Sequence, residues 1–359
     1  MTNHDFSVRR AAAWAGGSVA ALMAAIYLGS RGFKDLDPSN LGYLAGTLVF
    51  VWGSTYRLAV FLIKPATRMF LRGALTRKRS AGATPGVGSK APRGRSRWGL
   101  GARAVGANLL GQAFIWRRQP SRWLGHMAIS WGCLLSGLVT FPLVFGWVHF
   151  RLVDGSSYDI MVFGQATHRF VIRSLEGWML FHALDFTAAM LVLGLGLYYW
   201  RRLTQPQNQP EQRSEWDLLP LHLLLGVAVS GLMLTVDSAW LDGAGYSYIT
   251  VLHQALVVVT LAYLPWSKLF HLLFRPLAAA VQTYHEQGRL SPQICPGCGR
   301  AYAPAVQIGD LTRVLGDLDV RQPYLDRSQA ASLLDLCPDC KRVQQARLFV
   351  GSAVSQEVR

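Results

Sequence analysis

Two kinds of metal-ligating side chain mark this chain: imidazoles in apolar stretches and thiols in paired turns. His253 and His271 lie eighteen residues apart in one apolar run. At 100° per residue this is five whole turns, so an unbroken helix would carry both rings on one face, ~27 Å apart along its axis. An imidazole in hydrocarbon is costly unless it is ligated or hydrogen bonded. One helix with a ligand near each membrane surface has the geometry that two stacked haems need. A pair of interfacial histidines packed against headgroups satisfies the same spacing.

The thiols form a second constellation. Cys295-Pro296-Gly297-Cys298-Gly299 is answered by Cys337-Pro338-Asp339-Cys340, with 38 residues between the pairs. Two such turns can bring four thiolates to one tetrahedral ion, each turn aiming backbone amides at its sulfurs. The spacing points to zinc rather than iron: the Cys-x-x-Cys-Gly-x-x-Tyr run ending at Tyr302 is shared with rubredoxin-like knuckles, but no aromatic core lies between the pairs. Four cysteines leave zinc no open position, so the expected role is structural, stabilising a small domain that docks a cytoplasmic subunit. Cys133, alone in an apolar run, is expected to pack.

The elements that must position these groups are read from hydropathy. Of 359 residues, 51% are hydrophobic and 16% charged, too apolar for a soluble globule of this length. Runs able to cross ~30 Å of hydrocarbon fall near 11–29, 41–63, 124–148, 176–200, 217–237 and 249–273. The first is read as a retained helix rather than a cleaved signal, because it nearly spans the bilayer and a second follows closely. Trp123, Trp147, Trp178, Tyr198, Tyr199 and Trp200 flank the third and fourth as interfacial rings do.

The net charge of +16 sits in particular loops, which argues for membrane topology and against nucleic acid. Lys64 to Trp123 holds fourteen Lys or Arg and no acid, and Arg201-Arg202 follow the fourth run. Both loops are expected on the cytoplasmic side, with both termini, in a bacterial-type inner membrane. The Gly-, Pro-, Ser- and Arg-rich segment 80–103 reads as a mobile basic loop that sets topology and meets anionic lipid. The expected architecture is an all-α membrane protein: a six-helix bundle with a small cytoplasmic zinc-ribbon-like domain at the C-terminal end. It divides into 1–40 (an added first helix and loop), 41–280 (the bundle, with the basic loop 64–123) and 281–359 (the metal domain).

The stretch Leu252-His253 through Leu264-Pro265-Trp266-Ser267-Lys268-Leu269-Phe270-His271, followed by Arg275-Pro276, closely resembles the last helix of the gamma subunit of respiratory nitrate reductase and its relatives in sulfur and hydrogen metabolism. The preceding segments are similar in order: Tyr56-Arg57, Leu124-Gly125-His126, Tyr199-Trp200-Arg201-Arg202 and Asp217-Leu218-Leu219. The resemblance covers about 41–280 and implies a membrane cytochrome b. It implies that His126 pairs with His271 across an inner haem, and topology puts both at the same depth. The family's partner for His253 falls at Ser136, a hydroxyl and a poor haem ligand. His182, read as four residues into the fourth span, is then the expected outer partner, with His149 and His168 behind it.

His222 is a rival inner ligand or a hydrogen-bond partner. Lys268, with Arg275 and Arg122, stands where inner propionates would end. Asp185, expected well inside the hydrocarbon, is assigned to proton transfer beside a quinone or to orienting a ligating imidazole. The metal domain and the added first helix depart from the family, so nitrate is not implied. Together these observations predict a haem b-binding subunit, with one or two haems, that transfers electrons between quinone and an iron–sulfur or catalytic partner chain. The alternative is a haem-free membrane scaffold that recruits cytoplasmic partners through its zinc knuckles.

Overall fold

A computed structural model describes residues 3–76, 106, 110–204, 218–275, 277, 281, 284, 292–318, 320 and 333–357. The basic loop 80–103 lies outside the described residues. The chain divides into two units, Met1–Val60 with Gly111–Phe274, and Phe61–Leu110 with Arg275–Arg359.

The first unit is mostly helical. In chain order it contains α1 (Asn3–Gly29) and α2 (Leu41–Ile63), whose last residues belong to the second unit, as does all of α3 (Pro65–Thr76). It continues with α4 (Ala113–Trp116), α5 (Pro120–Val144), the strands β1 (Val148–Asp154), β2 (Ser157–Val162) and β3 (Gln165–Val171), then α6 (Leu175–Phe181), α7 (Ala183–Thr204), α8 (Leu219–Trp240) and α9 (Tyr246–Tyr263). Among the described residues six helices are long and apolar enough to cross a membrane: Val8–Gly29, Pro38–Ile63, Pro120–Val144, Ala183–Thr204, Leu219–Trp240 and Tyr246–Trp266. By length and composition this is the pattern of a multi-pass membrane protein. Leu138, Leu193, Leu203 and Val251 on these helices stay largely exposed, as lipid-facing side chains do.

Local chemistry sets the helix ends. The Asp37 carboxylate accepts from the Ser39 amide at 2.9 Å, and Pro38 opens the short 3-10 turn that leads into α2. At the other end of the loop Ile26, Leu44, Val144 and Phe145 form one apolar cluster, joining the end of α1, the start of α2 and the end of α5. Between α5, α7 and α8 the core is Ile129 and Cys133 against Ala188, Leu191, Leu195, Leu221, Leu224 and Ala228, so Cys133 packs as expected.

Three features differ from the sequence expectation. First, 148–171 is a three-stranded antiparallel sheet in the order β1-β2-β3 rather than a plain loop. Phe150, Tyr158 and Phe170 pack with Phe181 on it, and buried Asp159 joins Arg169 and Arg151 at 2.8 and 3.2 Å. The Arg169 guanidinium, then Arg151, holds the Asp159 carboxyl below the usual carboxylate range. Second, Ser174 caps α6 as a separate helix and the chain breaks at His182. The fourth long helix therefore starts at Ala183, so Asp185, expected well inside the hydrocarbon, lies in its first turn.

Third, the last helix is not continuous from His253 to His271. Pro265 has no amide hydrogen to continue the ladder. The chain passes through a 3-10 turn at Leu264–Trp266, is extended at Ser267, and resumes as a second 3-10 turn at Lys268–Phe270. The Ser267 hydroxyl accepts from the Leu269 amide at 3.2 Å and restarts the turn. Arg57 on α2 donates to the carbonyls of Pro265 and Ser267, and its guanidinium lies 4.6 Å from the centre of the Phe270 ring. The five-turn arithmetic does not survive this break.

In the second unit β4 (Pro292–Ile294) and β5 (Ala301–Pro304) form an antiparallel hairpin, followed by α10 (Ala305–Asp317) and α11 (Pro338–Glu357). Phe70 of α3 meets Tyr284 edge to face at 5.3 Å.

Candidate functional site

Small residues bring the bundle's backbones together. A Cβ on Gly194 would lie 2.9 Å from the Gly125 carbonyl oxygen, and one on Gly132 would lie 2.8 Å from Leu191 Cγ. Without side chains there, α5 and α7 touch closely, which is how helices associate where lipid removes the hydrophobic drive. His126 follows Gly125 on α5 and is fixed by this contact.

The His126 and His271 rings are neighbours, edge to face, with centroids 6.2 Å apart and planes at 69°. His271 Nδ1 donates to the Lys268 carbonyl at 2.7 Å, so Nε2 carries the lone pair of the neutral ring. At this separation both rings can reach one transition-metal ion between them. Lys268 thus serves His271 through its backbone. His222 instead stacks on Tyr199, with centroids 5.5 Å apart and planes at 29°.

Sequence reading missed three buried polar atoms at this end of the bundle. Tyr199 Oη, Arg201 Nε and Gln112 Oε1 have no hydrogen-bond partner among the described residues. Arg201 uses another nitrogen to reach Gln119 at 3.1 Å, and Gln112 donates to Ser130 at 3.0 Å. Arg201 was legible only as a topology charge, and nothing in the local pattern marks Gln112.

At the opposite end of the helices the histidines have separate partners. The Ser230 hydroxyl donates to the Gly226 carbonyl at 2.7 Å, so its oxygen accepts from His253 Nδ1 at 2.9 Å. The ring neighbour of His253 is Tyr43, at 6.5 Å. His182 Nδ1 lies 2.6 Å from Asp185 Oδ2, and Thr235 donates to Asp185 Oδ1 at 2.8 Å. The ring neighbour of His182 is Trp178, at 5.0 Å, and no ring contact joins it to His253. Ser136 donates to Thr187 at 2.7 Å. His149 Nδ1 is buried without a hydrogen-bond partner among the described residues, and His168 Nε2 pairs with Glu176 at 2.7 Å on the exposed side of the sheet.

In the second unit the four sulfurs of Cys295, Cys298, Cys337 and Cys340 all lie within 4.8 Å of one another, a cluster that can hold a metal ion. The Cys298 and Cys337 sulfurs are 3.6 Å apart. A tetrahedral zinc with bonds of about 2.3 Å sets its sulfurs just under about 4 Å apart, so the donor set fits. The first pair sits in the turn between β4 and β5, where the Cys295 amide donates to the Arg300 carbonyl and Gly299 takes a left-handed φ of 69°. The second pair brackets the start of α11, whose amides face the sulfurs. One hairpin and one helix therefore carry the ligands, where a zinc ribbon would use two hairpins.

Amide donation from Cys337, then Gly297 and Cys298, lowers the Cys295 thiol to about 6. Hydrogen bonding among the sulfurs of Cys337 and Cys298 first, and then burial, raises Cys340 to about 12. Sulfurs this close cannot all carry charge unless a cation sits among them. Tyr302, whose hydroxyl donates to the Leu334 carbonyl at 2.6 Å, closes the cluster's apolar side. Comparison of the chain with known protein families, with curated proteins and with solved structures found no match.

Proposed function

We propose that this chain is a haem b-binding membrane subunit that passes electrons between the quinone pool and a partner chain of a respiratory complex. The observation that carries the reading is the opposed pair His126 and His271. An imidazole nitrogen bonds a transition metal at about 2 Å, which puts the ring centre about 3 Å from the ion, so two imidazoles that together held one ion would have ring centres about 6 Å apart. The observed 6.2 Å agrees with that requirement.

In this reading His126 and His271 hold the iron, and the Lys268 carbonyl fixes the tautomer and direction of His271. Arg57 holds the broken end of the last span from which His271 projects. The buried Tyr199 hydroxyl and Arg201 Nε offer polar contacts at the same end of the bundle for the group's carboxylates. When bound, haem b supplies a one-electron iron couple, and the protein sets its ligands, dielectric and access. Asp185, bonded to His182 and Thr235, belongs to the quinone-facing end.

The thiolate cluster takes zinc as a closed structural site, and the domain around it docks the iron–sulfur or catalytic partner. The excess of Lys and Arg in 64–123 puts that loop, both termini and the zinc domain on the cytoplasmic side of a bacterial-type inner membrane.

The test is haem content per chain of the full-length protein, extracted in mild detergent. His126→Ala and His271→Ala should each retain about a tenth of wild-type haem or less, the loss expected when an axial ligand is removed, while His168→Ala on the sheet keeps it all. A colourless wild-type protein that still holds zinc would favour the haem-free scaffold instead.

A further inference from the structure

We infer that Cys298 is an oxidation site: a peroxide joins it to Cys337 as a disulfide, and the ion of the cysteine cluster is released. The release rests on the zinc reading above, while the thiol chemistry does not.

The four cysteines differ in cover. Cys295 and Cys337 are 1% and 2% exposed and form an apolar cluster with Leu333 and Leu336, against which Tyr302 and Cys340 pack. Cys298 stands outside that cluster and is exposed. The next residue adds no shelter, since a Cβ built on Gly299 would meet no described atom within 4 Å. A small polar oxidant in water therefore reaches Cys298 before the other three sulfurs.

The resolving partner is already in place. The Cys337 sulfur lies 3.6 Å from that of Cys298. A disulfide needs about 2 Å, so closure asks for about 1.5 Å of movement shared between the β4–β5 turn and the start of α11. Arg300 and Asp339, each two residues beyond one of these cysteines, bridge the same two elements at 3.3 Å on the exposed side. An accessible thiolate beside a second cysteine that can displace its oxygen is the arrangement of a redox-sensing site. The disulfide would also join the same hairpin and helix that the four ligands join, so the two elements stay linked when the ion leaves.

The step balances as follows. Cys298 Sγ, a thiolate while it is a ligand, attacks one oxygen of hydrogen peroxide. An S–O bond forms, the O–O bond breaks and hydroxide leaves, so the sulfur becomes a sulfenic acid, oxidised by two electrons as the peroxide is reduced. Cys337 Sγ, also a thiolate, then attacks Cys298 Sγ. The S–S bond forms, the S–O bond breaks and the oxygen leaves as a second hydroxide. Water supplies the protons that turn both hydroxides into water. Cys295 and Cys340 remain as two ligands of the four that a closed zinc site needs.

The experiment treats the full-length protein in lipid nanodiscs with hydrogen peroxide beside a chromogenic zinc chelator. Non-reducing peptide maps should show the Cys298–Cys337 disulfide together with about one zinc released per chain, and a dithiol with added zinc should reverse both. Dimedone, added with the peroxide to wild type, should trap the sulfenic acid at Cys298. Cys298→His keeps a fourth ligand and removes the thiol, so peroxide should release its zinc at least about tenfold more slowly. A disulfide within either Cys-x-x-Cys turn, dimedone on another cysteine of the cluster first, or release from Cys298→His at the wild-type rate would overturn the proposal. So would a zinc-loaded wild type that peroxide leaves unchanged. A wild type purified without zinc that still forms the Cys298–Cys337 bond would remove the metal reading and keep the oxidation site.

Discussion

Three imidazoles near helix ends, those of His271, His253 and His182, have Nδ1 within hydrogen-bond distance of an oxygen, and the identity of that oxygen separates their roles. For His271 it is the Lys268 carbonyl, for His253 the Ser230 hydroxyl and for His182 the Asp185 carboxylate. A carbonyl or hydroxyl orients the ring, and a carboxylate also stabilises a positive charge on it. The cysteines follow the same logic with amides as donors. Cys298→Ser should lower bound zinc from one per chain to less than about a tenth and open 292–357 to protease, because a small domain of this kind gains much of its stability from the ion. Zinc and limited proteolysis measured on the purified variant check this. The thiolate cluster was readable from sequence because Cys-x-x-Cys spacing is a local geometry. Asp185 was weighed from sequence as a carboxylate that orients an imidazole, whereas the Nδ1 partners of His271 and His253 were not readable, since they come from a backbone carbonyl and from another helix.

The spans were legible as elements because hydropathy over about 20 residues reports only length and apolarity. Their ends were not. Pro265 stood in the sequence, yet a proline in a membrane helix is tolerated when neighbours satisfy the freed carbonyls. Here Arg57, 208 residues earlier in the chain, donates to the Pro265 carbonyl at the break. The sheet of 148–171 was overlooked because its charges were counted for topology while the alternating burial of β2 went unread. Gly53 gives this element-level account a test. A Cβ there would fall 2.5 Å from the Trp266 ring and 3.0 Å from Pro265 Cβ. Gly53→Val should push the broken turn away from α2, tilt His271 off His126 and convert part of the haem from six- to five-coordinate, visible as a high-spin fraction in the absorption spectrum. An unchanged spectrum would mean that the turn does not set the ligand.

At the scale of the molecule, six apolar helices and a cysteine cluster were both evident in the amino-acid pattern, while the pairing of residues 126 and 271 was expected from the family resemblance, and their rings lie 6.2 Å apart. That meeting holds although the unbroken helix assumed for it does not: the break shifts where His271 leaves the last span, while the close α5–α7 contact keeps His126 in place to meet it. The planes of the two rings stand at 69°, and imidazoles at such an angle would, if both held a haem iron, leave two of its d orbitals close in energy. The decisive measurement is therefore electron paramagnetic resonance of the oxidised full-length protein at liquid-helium temperature. The account predicts a low-spin ferric signal of the strongly anisotropic type given by two crossed imidazoles, abolished by either His126→Ala or His271→Ala. Absence of any ferric haem signal, or one that survives both substitutions, would contradict it.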